Sequence, residues 1–254
     1  MSETRRVNRG RGHTYLLDGE QADGVTWIVG NGVPKPALVG WAARESAGYA
    51  IDHWDELAGL GAADRMRRIE AARFESSKRG AVRGTDVHQL ALKLAQGQEV
   101  EVPDHLEGHV DAYLRFVNEW EPKEVLTEVV VGNRQYRYMG TLDTVAELAD
   151  GNTWLLDWKT TQSGIWPESA LQLAAYRNAE FYLGGEAHEV PFPRIQHTGC
   201  VWLKPDSYEL VPVNTQPEVF RTFLYAQQVA RFTSEPRETF VLPTLEPPAK
   251  EEAA

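Results

Sequence analysis

The sequence predicts an α/β protein. Apolar residues recur at helical spacing in segments before and after the middle of the chain. Between them, residues 124–159 hold β-branched and strictly alternating stretches. A helix, two strands and a last helix follow in that order. At 254 residues the chain can bury a full core as one domain, with room for an appended subdomain. A hydrophobic fraction of 42% with eight tryptophans argues for a globular fold over disorder.

In chain order, Arg5, Arg6, Arg9 and Arg11 make residues 1–13 a flexible basic arm. Residues 14–78 read as a helical and hairpin extension packed on the core. Extended pieces around Asp18-Gly19 and Asp23-Gly24 suggest a small hairpin, and the Gly and Pro content of 31–36 a loop. Leu38, Trp41, Ala42, Tyr49 and Trp54 suggest helices broken near Gly48 and Gly59, with a further helix over 62–77. Arg65, Arg67, Arg68, Arg73, Lys78, Arg79 and Arg83 form a basic cluster. Such a run is either a solvated helix face or a phosphate-tracking surface.

The next helix opens at 83–90, where Thr85 or Asp86 can cap the first turn. Val87, Leu90, Ala91 and Leu94 would face the core. His88 lies beside that stripe, a position where a histidine is more often packed or hydrogen-bonded than liganding. A helix over 104–120 carries Leu106, Val110, Leu114 and Val117 on one face and is ended by Pro122. Residues 124–131 read as a strand, turned by Gly132-Asn133 into a second one over 135–139. Glu128 is the carboxylate in that apolar strand. It stands either on a solvated or paired edge, or as a third oxygen at the centre that follows.

That centre is Gly140-Thr141-Leu142-Asp143 with Trp154-Leu155-Leu156-Asp157-Trp158-Lys159-Thr160. The turn Asp150-Gly151-Asn152 makes the two stretches an antiparallel hairpin. Alternation puts Asp157 and Lys159 on one face of the second strand, and Trp154, Leu156 and Trp158 on the other. With an even register, Asp143 comes opposite Asp157. One reading is a buried salt bridge in which Lys159 neutralises one aspartate. The other starts from repulsion: two close carboxylates need a cation between them, and hard divalent cations such as magnesium take oxygen ligands of this kind.

After a polar loop, Pro167 opens a helix over 168–182 with Gln172 and Tyr176 on one face. Leu171, Ala174, Ala175 and Tyr176 would serve equally as packing residues there. Gly184-Gly185 stops the helix, residues 195–203 and 209–213 form a hairpin, and Pro217 starts a last helix. Residues 241–254, rich in Pro, Glu and Ala, read as a disordered tail.

Several classes are excluded. The single cysteine, Cys200, cannot build a disulfide framework or an iron–sulfur cluster. No phosphate loop of the Gly-x-x-x-x-Gly-Lys-Ser/Thr type is present, so the chain has no motor of that kind. The net charge of −11 points away from a generic nucleic-acid coat, though not from local basic patches. With no long apolar run and no signal-peptide core at the N-terminus, a membrane association is not expected. The expected location is the cytoplasm, the host's if the chain is phage-encoded.

These motifs, in this order, resemble the PD-(D/E)XK nuclease superfamily, in its RecB-like and phage-type exonuclease branch. The resemblance covers about residues 80–205. Gly84-Thr85-Asp86-Val87-His88 is similar to the branch's Gly-x-x-x-His helix. Gly140 to Asp143 is similar to its Gly-x-x-Asp strand, Asp157-Trp158-Lys159 to its Asp-x-Lys core, and Gln172 to Tyr176 to its Gln-x-x-x-Tyr helix. The resemblance implies a restriction-endonuclease-like core over 79–240, with a central mixed β-sheet flanked by helices. It implies a metal-dependent DNA exonuclease acting from duplex ends in recombination or repair; an endonuclease with the same site, or a non-catalytic DNA-binding protein, is the alternative. His88, Asp143, Asp157 and the Trp158 backbone carbonyl would hold one or two Mg2+ or Mn2+ ions. Lys159 would act on the attacking water or the phosphate, and Gln172 and Tyr176 would hold Lys159 or the DNA backbone. Beside a dication, the Lys159 ammonium is expected to have a lowered pKa. DNA is the implied partner, with a single-strand annealing protein or helicase as a candidate associate and homo-oligomerisation left open. Relatives among the CRISPR-associated nucleases carry a four-cysteine iron–sulfur cluster, which one cysteine rules out here.

Overall fold

A computed structural model describes residues 3–10, 12–95, 98, 100–185 and 188–245. The fold is mixed α/β, with two curled mixed sheets and helices packed on them. One sheet has seven strands in the order β1-β2-β3-β6-β5-β9-β10, and the other has five in the order β12-β11-β8-β7-β4. The strands are β1 Arg5–Arg9, β2 Gly12–Leu17, β3 Glu20–Gly24, β4 Lys123–Thr127, β5 Val130–Asn133, β6 Tyr138–Thr141, β7 Thr144–Glu147, β8 Thr153–Lys159, β9 Phe181–Leu183, β10 Glu189–Pro191, β11 His197–Leu203 and β12 Tyr208–Pro212. The helices are α1 Val25–Gly32, α2 Pro36–Asp52, α3 Trp54–Ala58, α4 Ala62–Ala95, α5 Glu107–Trp120, α6 Glu168–Arg177 and α7 Pro217–Ser234. None of the described helices is long and apolar enough to cross a membrane.

Within the flexible arm expected over 1–13, residues 5–9 form a strand. Arg5–Arg9 pairs antiparallel with β2, and β3 runs parallel to β6, so this segment extends the main sheet. Period-2 burial explains it: Tyr15, Leu17 and Ala22 pack with Met139 and Phe181 in a small core of their own. Of the extension expected over 14–78, the first part belongs to the core, since Val25, Ile28 and Val29 of α1 lie in the main hydrophobic cluster, whereas α2 buries none of its residues. Helix α1 packs so closely on α7 that a methyl group on Gly32 would sit 2.0 Å from the Ala226 carbonyl oxygen.

Two helices expected over 62–77 and from 83 are one, α4. Its run of Ala, Arg, Glu, Leu and Lys sustains a helix through Gly84, whose bare backbone costs only about 1 kcal/mol relative to Ala. Thr85 and Asp86 are therefore interior residues, not caps. The strand expected over 124–131 is broken into β4 and β5 at Glu128, which takes a left-handed φ of 51°. The helix expected over 168–182 ends at Arg177, and residues 181–183 leave it for β9. The strand expected over 135–139 begins only at Tyr138. Of the expected tail, residues 241–245 have no regular structure, and 246–254 lie outside the described residues.

The break at Glu128 sets up the site. The Glu128 N–H donates to the Asp143 carbonyl at 2.9 Å, and the Leu142 N–H donates to the Val129 carbonyl at 3.0 Å. The long hairpin bends here, leaving the seven-stranded sheet as β5 and β6 and entering the five-stranded one as β4 and β7. Asp143 stands at that bend. The β8 strand carries the layering of the second sheet. Leu155 joins the main core under α1, α6 and α7, while Trp154 and Leu156 pack with Phe116, Tyr113 and Val87 on the opposite face.

Candidate active site

The β7–β8 hairpin has the even register that the sequence required. Thr144 pairs with Leu156, so the next position along sets Asp143 opposite Asp157. The turn between the strands is closed by Gly151 at φ 74° and by Asp150 Oδ1 accepting the Asn152 N–H at 2.9 Å. Asp143 Oδ2 accepts the backbone N–H of Trp158 at 2.9 Å, which ties its carboxylate to the neighbouring strand. In an extended strand the N–H and C=O of one residue point to the same side. The Trp158 carbonyl therefore points toward the Asp143 side. Its indole turns to the other face, donating to Thr144 Oγ1 at 3.0 Å and meeting Tyr113 and Phe116 edge-on.

Asp157 is 3% exposed and held from three sides. Lys159 Nζ lies 2.5 Å from its Oδ2, and Gln172 Nε2 donates to its Oδ1 at 3.1 Å. The Cys200 thiol, in register with Asp157 on the parallel strand β11, donates to Oδ2 at 3.6 Å. The salt bridge and the carboxylate pair thus coexist: two aspartates meet one ammonium. Burial lowers the Lys159 pKa, but the charges of Asp157 and then Asp143 outweigh it and hold the ammonium above its ordinary value. The lowered value expected beside a dication is not what the residues alone produce. Burial pushes the Cys200 thiol up to about 12, with the Asp157 charge adding to it, so Cys200 stands here as a neutral donor.

Helix α6 supplies the floor. Gln172 and Tyr176 share one face, as the spacing requires. Gln172 bonds to Asp157, not to Lys159. Tyr176 is 2% exposed and hydrogen-bonded to Gln172, which seats it beneath the site. Burial, then the nearby Asp143 charge, holds its phenol well above the ordinary range. A methyl group at Gly140 would sit 2.6 Å from Tyr176 Cε1 and 3.1 Å from its hydroxyl. Glycine is required there because the tyrosine ring lies directly against the backbone. Gly140→Ala should cost about 1–3 kcal/mol of stability by overpacking. Chemical denaturation would read it, and an unchanged midpoint would show that Tyr176 moves aside freely.

Helix α4 reaches the end of β8, because a methyl group at Gly84 would sit 3.4 Å from Thr160 Oγ1. His88 lies four residues further along that helix, and its side chain is outside the described residues. Glu128 is exposed at the bend and does not complete a three-carboxylate group with Asp143 and Asp157. Among the described residues, no group of three or more His, Cys, Asp or Glu is assembled for a metal.

Most of the basic cluster's described members have other partners. Arg65 caps the end of α3, donating to the carbonyls of Leu57 at 3.0 Å and Leu60 at 3.1 Å. Arg67 pairs with Asp64, Arg68 pairs with Glu56, and Arg73 stacks on the Phe74 ring. Within the helical arm these contacts give Arg65, Arg67 and Arg68 partners of their own, while Arg67 and Arg68 stay exposed. Lys78 is exposed, and the side chains of Arg79 and Arg83 are outside the described residues.

Two neighbours of the site carry no local sequence signal. Cys200 reaches Asp157 only because β11 runs parallel to β8. Tyr15 reaches Thr141 across 126 residues of chain, its hydroxyl 3.0 Å from Thr141 Oγ1.

No protein family and no curated protein matches the chain. A solved structure described as "Crystal structure of SSO0001" is similar at 15% identity, covering 84% of this chain and 76% of that one, with a TM-score of 0.36. A likeness this distant carries no functional inference.

Proposed function

We propose that this chain is a metal-dependent deoxyribonuclease of the PD-(D/E)XK type, acting as an exonuclease on duplex ends. The observation that carries the reading is the placement of Asp143 and Asp157 at facing positions of adjacent strands, with Lys159 on the same face as Asp157. The donor set fits a hard divalent cation. Magnesium is bound through one or two carboxylates completed by water and substrate phosphate, not through a full protein cage. Asp143, Asp157 and the Trp158 carbonyl would hold it, with His88 as the further ligand the motif implies. A divalent cation bound there supplies Lewis acidity toward the phosphodiester and lowers the pKa of a bound water.

The protein's own groups do the positioning. Gln172 fixes the rotation of the Asp157 carboxylate, and Tyr176 fixes Gln172 in turn. The Trp158 N–H orients Asp143. Lys159 brings a protonated amine to the phosphate side of the carboxylates, where it offsets charge building on the attacked group. Digestion of end-labelled linear duplex and covalently closed circular DNA, in Mg2+, Mn2+ or EDTA, tests the reading. Metal-dependent loss of the linear DNA alone is expected. Nicking of the circle would make the site endonucleolytic, and intact DNA in both metals would overturn the assignment.

A further inference from the structure

A chain of side-chain contacts on the N-terminal hairpin runs from Arg6 to Thr141, two residues from Asp143. Arg6 on β1 is exposed, and its Nη2 donates to His13 Nδ1 at 3.2 Å. His13 Nε2 lies 3.0 Å from the Tyr15 hydroxyl, and that hydroxyl lies 3.0 Å from Thr141 Oγ1. Thr141 belongs to the strand end that carries Asp143, two residues on. With Nδ1 accepting from Arg6, His13 is the neutral tautomer that donates through Nε2 to Tyr15, leaving the tyrosine proton for Thr141. Burial first, then the Arg6 charge, holds the imidazole below its ordinary pKa, in keeping with that neutral form. The His13 and Tyr15 rings also meet edge-on, 5.1 Å apart, which stiffens the arrangement.

The charge pattern of this hairpin is unusual for a structural one. Arg5 is paired with Glu3 at 2.7 Å. Arg6 is held by an imidazole, and among the described residues no acid lies within ion-pair distance of Arg6 or Arg9. In a chain with a net charge of −11, this leaves the exposed Arg6 guanidinium at the outer end of a side-chain chain that runs to Thr141, two residues from Asp143. A guanidinium matches a phosphate through paired donors, while the site's own carboxylates repel the same phosphate. Cations outside the carboxylate pair therefore add to the binding of a polyanion what the carboxylates themselves oppose.

We infer that Arg6, seated by His13, Tyr15 and Thr141, binds a backbone phosphate of the nucleic-acid strand entering the Asp143–Asp157 site. This rests on the nuclease reading and identifies a substrate contact for it. Arg6 would be a binding residue, and His13 and Tyr15 positioning residues that fix where it stands relative to Asp143.

The test is fluorescence anisotropy of labelled linear duplex in EDTA over a range of salt, with cleavage of the same duplex in Mg2+ run in parallel. Arg6→Ala should weaken binding about 5–10-fold and lower the slope of log K against log salt by about one, the signature of one lost phosphate contact. Arg6→Lys should keep most of the slope, since the charge remains. Arg5→Ala, whose guanidinium is tied to Glu3, should leave it unchanged. Cleavage by the wild-type protein together with unchanged Arg6→Ala binding, or an equal effect from Arg5→Ala, would overturn the phosphate contact and leave the nuclease reading standing. A wild-type protein that neither binds nor cleaves the duplex would remove both.

Discussion

Asp157→Asn should remove DNA cleavage while leaving the protein folded. The asparagine keeps the shape of the side chain and an oxygen for Gln172 Nε2, so the 3.1 Å contact has an acceptor. What it loses is the charge that faces Lys159 and, across the hairpin, Asp143. Loss of a group that merely orients a metal ligand typically costs about 10–100-fold, so loss of a ligand itself should cost at least that much. Circular dichroism and a time course on linear duplex would check both halves. Residual cleavage within a few-fold of wild type would mean that Asp157 belongs to the fold and not to the chemistry.

Lys159→Ala has the second large effect, and its direction on metal binding is the informative part. Cleavage should fall by about 10²–10³-fold, the range for removing one preorganised charge-stabilising donor. Metal affinity should not fall. In the metal-free protein Lys159 is the cation beside the buried Asp157, at 2.5 Å. Without it, the carboxylate has more to gain from an added dication. Calorimetry should therefore show Mn2+ binding that is unchanged or tighter. Lost metal affinity would contradict the role given to the lysine.

The Lys159 shift also fixes how pH acts on the metal-free fold. Its folded pKa is raised, so the stability it contributes is present below the ordinary lysine value and lost only as pH rises through the folded one. Lys159 therefore stays protonated beside Asp157 throughout the neutral range.

Much of the site was legible because its parts are local. Asp143, Asp157 and Lys159 sit on one hairpin whose turn residues set the register, and alternation alone puts Asp157 and Lys159 together. Gln172 and Tyr176 are joined by one helical turn. Their partner was less legible: Gln172 bonds to Asp157 rather than Lys159 because the α6 axis crosses β8 at a place no local pattern encodes. The break at Glu128 has no sequence signal, because β-branched content on both sides reads as one strand and a left-handed φ at a glutamate has no residue signature. The joining of two expected helices into α4 failed for the opposite reason, since glycines normally read as punctuation. Arg65 reads as part of a basic surface in the sequence, while in the fold its guanidinium donates to the Leu57 and Ala58 carbonyls of α3. Long-range pairing was wholly hidden. Neither the parallel register of β11 with β8 nor the reach of Tyr15 to Thr141 follows from anything nearby in the chain.

The central claim is that Asp143 and Asp157 together form a divalent-cation site. Its most direct measurement is thermal unfolding across a Mn2+ titration, for the wild type and for the Asp143→Asn, Asp157→Asn double variant. A ligand that binds only the folded state raises stability by about 2.7 kcal/mol at a hundredfold excess over its Kd. The expected result is a concentration-dependent rise in Tm for the wild type that is absent from the double variant. No rise in the wild type, or an equal rise in both proteins, would contradict the claim.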